Sequence, residues 1–80
     1  MEYKFRIIVM PRKDLLDPQG RAVKRVINDM GIDVKDVRIG KSIEVIIDAK
    51  NEEEAMKTIK ELSDKIFSNP IIEDYIIERI

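Results

Sequence analysis

The chain predicts a two-layer α+β fold, an antiparallel sheet with two helices on one face. Three observations carry this. Apolar residues alternate with period two at both ends of the chain and in its middle. Between those stretches lie two segments with apolar residues at helical spacing, each preceded by a capping residue. The length of 80 residues allows one domain, taken as 1–80, and not two.

Residues 2–10 set Tyr3, Phe5, Ile7 and Val9 on one side of a strand and Lys4, Arg6, Ile8 and Met10 on the other. Pro11 ends it. After a loop at 12–17, Asp17 is a good N-cap, because its carboxylate can accept the free N–H groups of a first turn. Pro18 then sits where a missing N–H costs nothing. The helix that follows gathers Ala22, Val23, Val26, Ile27 and Met30 on one face, opposite Arg21, Lys24, Arg25 and Asn28. Gly31 suits the left-handed position that closes it.

Residues 34–48 read as extended, through Val34, Val37, Ile39, Ile43, Val45 and Ile47. Gly40-Lys41 interrupts the run, either as a tight hairpin turn or as a bulge in one bent strand. The first gives four strands and the second three. Asn51 caps a second helix in a capping-box string with Glu54, and its buried positions are Ala55, Met56, Ile59, Leu62, Ile66 and Phe67. Asn69-Pro70 stops it, and residues 71–80 alternate again as a last strand. The order is β-α-β(β)-α-β, the ferredoxin-like arrangement.

Composition narrows the function. The chain has no Cys, His or Trp, and its net charge is −1. Disulfides, a zinc site, and Ser–His or Cys–His nucleophilic pairs are thereby excluded. Balanced charge argues against bulk nucleic-acid binding. No apolar run approaches the roughly 20 residues that span a bilayer, and no secretory signal is seen, so a cytoplasmic protein is expected. So short a chain has a marginal core and calls for help, which here means self-association. Ile8, Met10 and Ile46 alternate out of phase with the core set, and Ile76, Ile77 and Ile80 put apolar side chains on both faces of the last strand. An apolar patch on a small protein marks an interaction surface, so these six are expected at an oligomer interface.

Several polar strings have plain structural readings. Glu52-Glu53-Glu54 complements the dipole of the second helix rather than binding metal. Asp17-Pro18 is a helix entry, but Gly20 inside the first turn is unexplained by capping and suggests a close approach of backbone or ligand. Arg12 and Lys13 beside that helix start, and Lys41 beside Gly40, are solvated charges or contacts for an anion. A buried Tyr75 hydroxyl would want a partner, and Glu73 and Asp74 are near in sequence.

Taken together, Pro11-Arg12-Lys13, Asp17-Pro18-Gln19-Gly20, Gly31, Val37-Arg38-Ile39-Gly40-Lys41 and Ser68-Asn69-Pro70-Ile71-Ile72-Glu73-Asp74-Tyr75 resemble the PurS family in order and spacing over the whole chain. That family is the small subunit of phosphoribosylformylglycinamidine (FGAM) synthase, in purine biosynthesis. The resemblance implies a non-catalytic subunit, a dimer or higher oligomer that docks a glutaminase subunit (PurQ) to a synthetase subunit (PurL) for ammonia transfer. ATP and magnesium would belong to the synthetase subunit, with no cofactor on this chain. Arg12, Lys13, Asp17, Pro18, Gln19, Gly20, Gly40, Lys41, Asn69, Pro70, Glu73 and Tyr75 would shape the docking surface.

Two other readings compete. Asp-Pro-Gln-Gly after a first strand is similar to the entry string of ACT domains, amino-acid-binding regulatory modules, although its order is shifted. An acylphosphatase-like phosphate cradle would need more glycine than the loop between Arg12 and Gly20 holds.

Overall fold

The computed structural model describes residues 1–80. It has three strands, β1 (Glu2–Pro11), β2 (Lys41–Asp48) and β3 (Glu73–Arg79), and two helices, α1 (Pro18–Asp29) and α2 (Glu52–Leu62). Strand β1 is central and pairs antiparallel with both neighbours, in the order β2-β1-β3. The α+β class and the element order are as expected, with three strands rather than four.

Residues 34–40 form neither a hairpin strand nor a bulged extension of β2, which starts only at Lys41. Polar groups near α1 take up their backbone instead. Asn28 Oδ1 accepts from the Val34 N–H at 3.3 Å, and Asp17 Oδ2 accepts from the Ile39 N–H at 2.8 Å. This segment returns along α1 and leaves the edge of β2 open.

The core lies on the face where the register sets Tyr3 opposite Ile47, Phe5 opposite Val45 and Ile7 between Ile43 and Ile77. Helix α2 covers it with Ala55 and Ile59, both fully buried. Asn51 caps α2 by accepting from the Glu54 N–H at 2.8 Å. Arg79 reaches over the Tyr3 ring, 5.1 Å from its centroid, and pairs with Glu52 at 3.2 Å, closing that end of the core.

One expectation about α2 changes. The helix widens into a π-turn at Ser63–Phe67. Ser63 Oγ donates to the Ile59 carbonyl at 2.8 Å, and both the N–H and the hydroxyl of Ser68 close on the Ser63 carbonyl. The wider turn advances the register. Phe67 packs against the core, while Ile66, expected inside, is 69% exposed.

Helix α1 has every local feature anticipated for it. Asp17 caps it, Pro18 leads it, and Gly31 has a φ of +86° just past its end. Yet it does not lie on the sheet. Gly20 is its only buried residue, and Val26 and Met30 are 59% and 70% exposed. Of the two helices, only α2 layers on the sheet. Helix α1 and its return segment make an arm, and the molecule measures 53 × 24 × 14 Å.

Candidate functional site

Three of the strings singled out in the sequence meet at the end of the sheet where β1 finishes. Pro11 lies opposite Glu73 and Val9 opposite Lys41. The Arg12 N–H donates to the Ile72 carbonyl at 2.9 Å, tying the loop after β1 to the turn before β3. That turn is closed on itself. Asn69 Oδ1 accepts from the Ile71 N–H at 3.1 Å, and Glu73 Oε1 accepts from the Asn69 N–H at 2.7 Å. Pro70, which has no N–H to satisfy, occupies the bend between them.

Gly40 completes this end. A Cβ there would overlap the Val9 carbonyl oxygen and the Met10 sulfur. The glycine therefore lets the chain enter β2 tight against β1. Lys41 begins β2 and is exposed.

The Asp17-Pro18-Gln19-Gly20 string is joined to the cluster by its carboxylate. Asp17 Oδ1 accepts from the Gly20 N–H at 3.0 Å and Oδ2 from the Ile39 N–H. These two backbone bonds, that from Gly20 first, hold its pKa below the ordinary carboxylate value, with the Arg38 guanidinium assisting against partial burial. Gly20 now has its reason. A Cβ there would overlap the Val37 carbonyl oxygen, so the close approach is made by this chain's own backbone. Pro18 and Gln19 stay exposed at the head of α1.

Tyr75 was expected to look to Glu73 or Asp74. Its hydroxyl donates instead to Asp64 Oδ1, on the π-turn, at 2.7 Å. That bond, then desolvation and the Asp64 charge, raises the phenol's pKa. Asp74 alternates onto the other face, opposite Met10. A partner eleven residues away on another element left no sequence signal.

Shallow concavities flank the cluster. One of about 450 Å³ lies on the open sheet face, over Ile8, Met10 and Ile76, rimmed by Arg12, Lys13 and Arg38. Arg38 donates to the Pro11 carbonyl, a contact that sequence reading did not anticipate. Another, of about 650 Å³, lies between the two loops and is lined by Leu15, Leu16, Pro18, Gln19, Ile39 and Ile72. Leu15 and Leu16 are both exposed. Two adjacent leucines in a loop were the signal that could have marked this surface.

The residues expected at an oligomer interface divide. Ile8 pairs with Ile76 across the open face, beside Met10. Ile46 is also on that face, but it neighbours Lys4, whose amine pairs with Glu44. Arg6 bridges Glu44 at 3.0 Å and Glu78 at 3.7 Å, so a band of charge separates Ile46 from the Ile8 cluster. The Ile80 N–H donates to the Lys4 carbonyl, and its side chain is 40% exposed. Ile77 is a correction: it lies opposite Ile7 and packs into the core, because alternation in β3 sends it inward.

The polar groups gathered here mostly bind this chain's own backbone. What they leave outward is apolar and charged side chain, Arg12, Lys13, Asp14 and Asp74 among it, around open concavities. Such a fold and surface are those of a small α+β protein with faces left open for contact. The chain belongs to the PurS family: the family model described as "PurS: Phosphoribosylformylglycinamidine (FGAM) synthase" matches residues 4–80.

Relatives agree. The PurS subunit of Methanocaldococcus jannaschii is 36% identical over 77 residues, covering 95% of this chain and 93% of that protein. The crystal structure of the Thermotoga maritima PurS subunit superposes with a TM-score of 0.89 at 33% identity, over 100% of this chain and 93% of that one. A chain in the structure of PurLQS from Thermotoga maritima superposes with a TM-score of 0.91 at 33% identity, over 100% and 99%. The function is thus that of a subunit of FGAM synthase, a glutamine-dependent ligase complex of purine biosynthesis. No helix is long and apolar enough to cross a membrane.

Proposed function

We propose that this chain is the non-catalytic assembly subunit of a cytoplasmic FGAM synthase. It forms a homodimer or higher oligomer and holds a glutaminase subunit against a synthetase subunit, so that ammonia passes between them without loss to water. ATP and magnesium belong to the synthetase subunit in this reading. The observation that carries it is the pairing of two unfinished surfaces. The apolar face of α1 has nothing on it, and the end of the sheet presents Leu15, Leu16 and Ile72 around an open concavity. A chain with nine buried residues of 80 gains most by covering such surfaces with partners.

The support from relatives is direct in kind: the matching Thermotoga maritima chain comes from a structure described as PurLQS. In this reading Arg12, Lys13, Pro18, Gln19 and Lys41 face the partners. Asp17, Gly20, Gly40, Asn69, Pro70, Glu73 and Tyr75 hold the shape of the surface. Ile8, Met10 and Ile76, with the α1 face, meet a second copy.

The test is reconstitution. Synthetase and glutaminase subunits from the same organism are mixed with formylglycinamide ribonucleotide, ATP, magnesium and glutamine, with and without this chain. Glutamine-dependent product is expected only with it. Product formation indifferent to the chain would sink the assembly reading and favour an amino-acid-binding module, which a saturable thermal shift with one amino acid would reveal.

A further inference from the structure

Charge on this chain is divided by region. Residues 12–40, the arm with its flanking loops, carry seven Lys and Arg against five Asp. The rest carries eight against eleven Asp and Glu, so a nearly neutral chain has a basic arm and an acidic body. Four of the body's eight cations are matched internally, Lys4 and Arg6 with Glu44, Lys65 with Glu61 and Arg79 with Glu52. In the arm only Arg12 has an ion-pair partner, Asp14.

The unmatched cations are ordered. Arg21, Lys24 and Arg25 stand at helical spacings of three and four on α1, on the face opposite Val23, Val26 and Met30. They line a concavity of about 460 Å³ between α1 and the return segment, together with Val37. Its two acids, Asp29 and Asp36, form no ion pair with them, and Asp36 accepts from the Val37 N–H. A helix with one bare apolar face and one bare cationic face has two surfaces to satisfy, and their chemistries differ.

We propose that the Arg21-Lys24-Arg25 face docks an acidic segment of a synthase subunit, while the opposite face of the same helix serves a second copy of this chain. This rests on the assembly reading above. Charge complementarity is the argument: carboxylates entering the concavity would meet three cations that have no partner in this chain. Continuity adds to the case, since the row begins one residue after Gly20, at the edge of the loop cluster.

The test compares the full-length unmodified chain with a triple reversal, Arg21→Glu, Lys24→Glu and Arg25→Glu, and with Arg21→Lys plus Arg25→Lys. Association with the synthetase and glutaminase subunits is followed by sedimentation velocity at about 50 mM and about 300 mM salt, where the screening length falls from about 14 Å to about 6 Å. The unmodified chain should bind about tenfold or more weakly at the higher salt. The triple reversal should lose at least about tenfold at low salt and show a flattened salt response, and the Lys variant should keep most of the affinity. Circular dichroism melts and the homo-oligomeric state should match the unmodified chain in both variants.

A complex indifferent to the triple reversal overturns this inference and leaves the assembly reading standing. Loss of the homo-oligomer alone overturns it too, and makes the second copy the occupant. So does salt-dependent binding of a labelled RNA or DNA oligonucleotide that the reversal abolishes while the subunit complex is untouched. Absence of any complex with the unmodified chain would sink both readings.

Discussion

The body and the arm are built from the same sequence signals and end differently. Both helices have a polar cap at their start and an apolar face at helical spacing. In the body, Ala55 and Ile59 of α2 are buried against Phe5, Ile7 and Val9, and the helix completes a core. In the arm, Val26 and Met30 of α1 point to solvent, although the cap, the leading proline and the closing glycine are all in place. An amphipathic pattern states that a face needs covering. It does not state which chain covers it. The body is held by packing, and the arm by a few bonds at its root.

That contrast sets the order of expected effects. Phe5→Ala removes a fully buried ring from a core of six residues. It should cost about 3–5 kcal/mol and abolish cooperative unfolding of the isolated chain in urea. A variant that kept the native transition would show that the body is not the source of stability.

Val26→Asp is the counterpart in the arm. Little should change in the melting of the dilute chain, because Val26 is mostly exposed. Self-association should weaken by about ten- to a hundredfold in sedimentation equilibrium, as expected for losing one buried valine contact and desolvating a carboxylate. An unchanged oligomer would mean that no second copy covers this face.

Gly20→Ala attacks the root of the arm, where an added Cβ would overlap the Val37 carbonyl. A cost of about 1–3 kcal/mol, in the range of overpacked sites, should register as faster hydrogen exchange of the Ile39 amide with the Phe5 amide unaffected. Equal acceleration at both positions would show that arm and body open as one unit.

The smallest effect is acid loosening of the same root. The Asp17 carboxylate has a depressed pKa because it accepts from Gly20 and Ile39. Its contribution is fully present above the ordinary carboxylate value and is lost as pH falls through the lowered folded value. The Ile39 amide resonance should therefore shift only as pH falls below the ordinary carboxylate value, in step with Asp17 titration. Asp17→Asn, which can cap Gly20 but offers an N–H₂ rather than an acceptor to Ile39, should abolish that shift. A shift that survives in the Asn variant would assign it to another group.

Much of this was readable in the residues. The alternation at 2–10 specified both the strand and its inner face, because a period of two admits one assignment of sides. Capping at Asp17 and Asn51 and closure at Gly31 were readable because each is a local bargain between one side chain and the nearest backbone. The same locality explains the misses. Ser63 widening α2, which exposes Ile66, follows from bonds to Ile59 and Ser68 that a regular helical period cannot encode. Ile77 turned inward because β3 pairs with β1 in one register, and an apolar residue on each side of a strand leaves that register open.

What the residues determined, then, is each element, its caps and its apolar face, since those arise between neighbours in sequence. Tertiary structure decided the rest. It made residues 34–40 the return limb of the arm instead of a fourth strand, because Asp17 and Asn28 satisfy backbone N–H groups that a sheet would otherwise pair. It also placed Arg12, Gly40 and Asn69 at one end of the sheet, and it left α1 without a partner inside its own chain. Those outcomes depend on contacts between residues far apart in sequence, where the free energy of closing the chain and burying its surfaces is settled only when the whole is assembled.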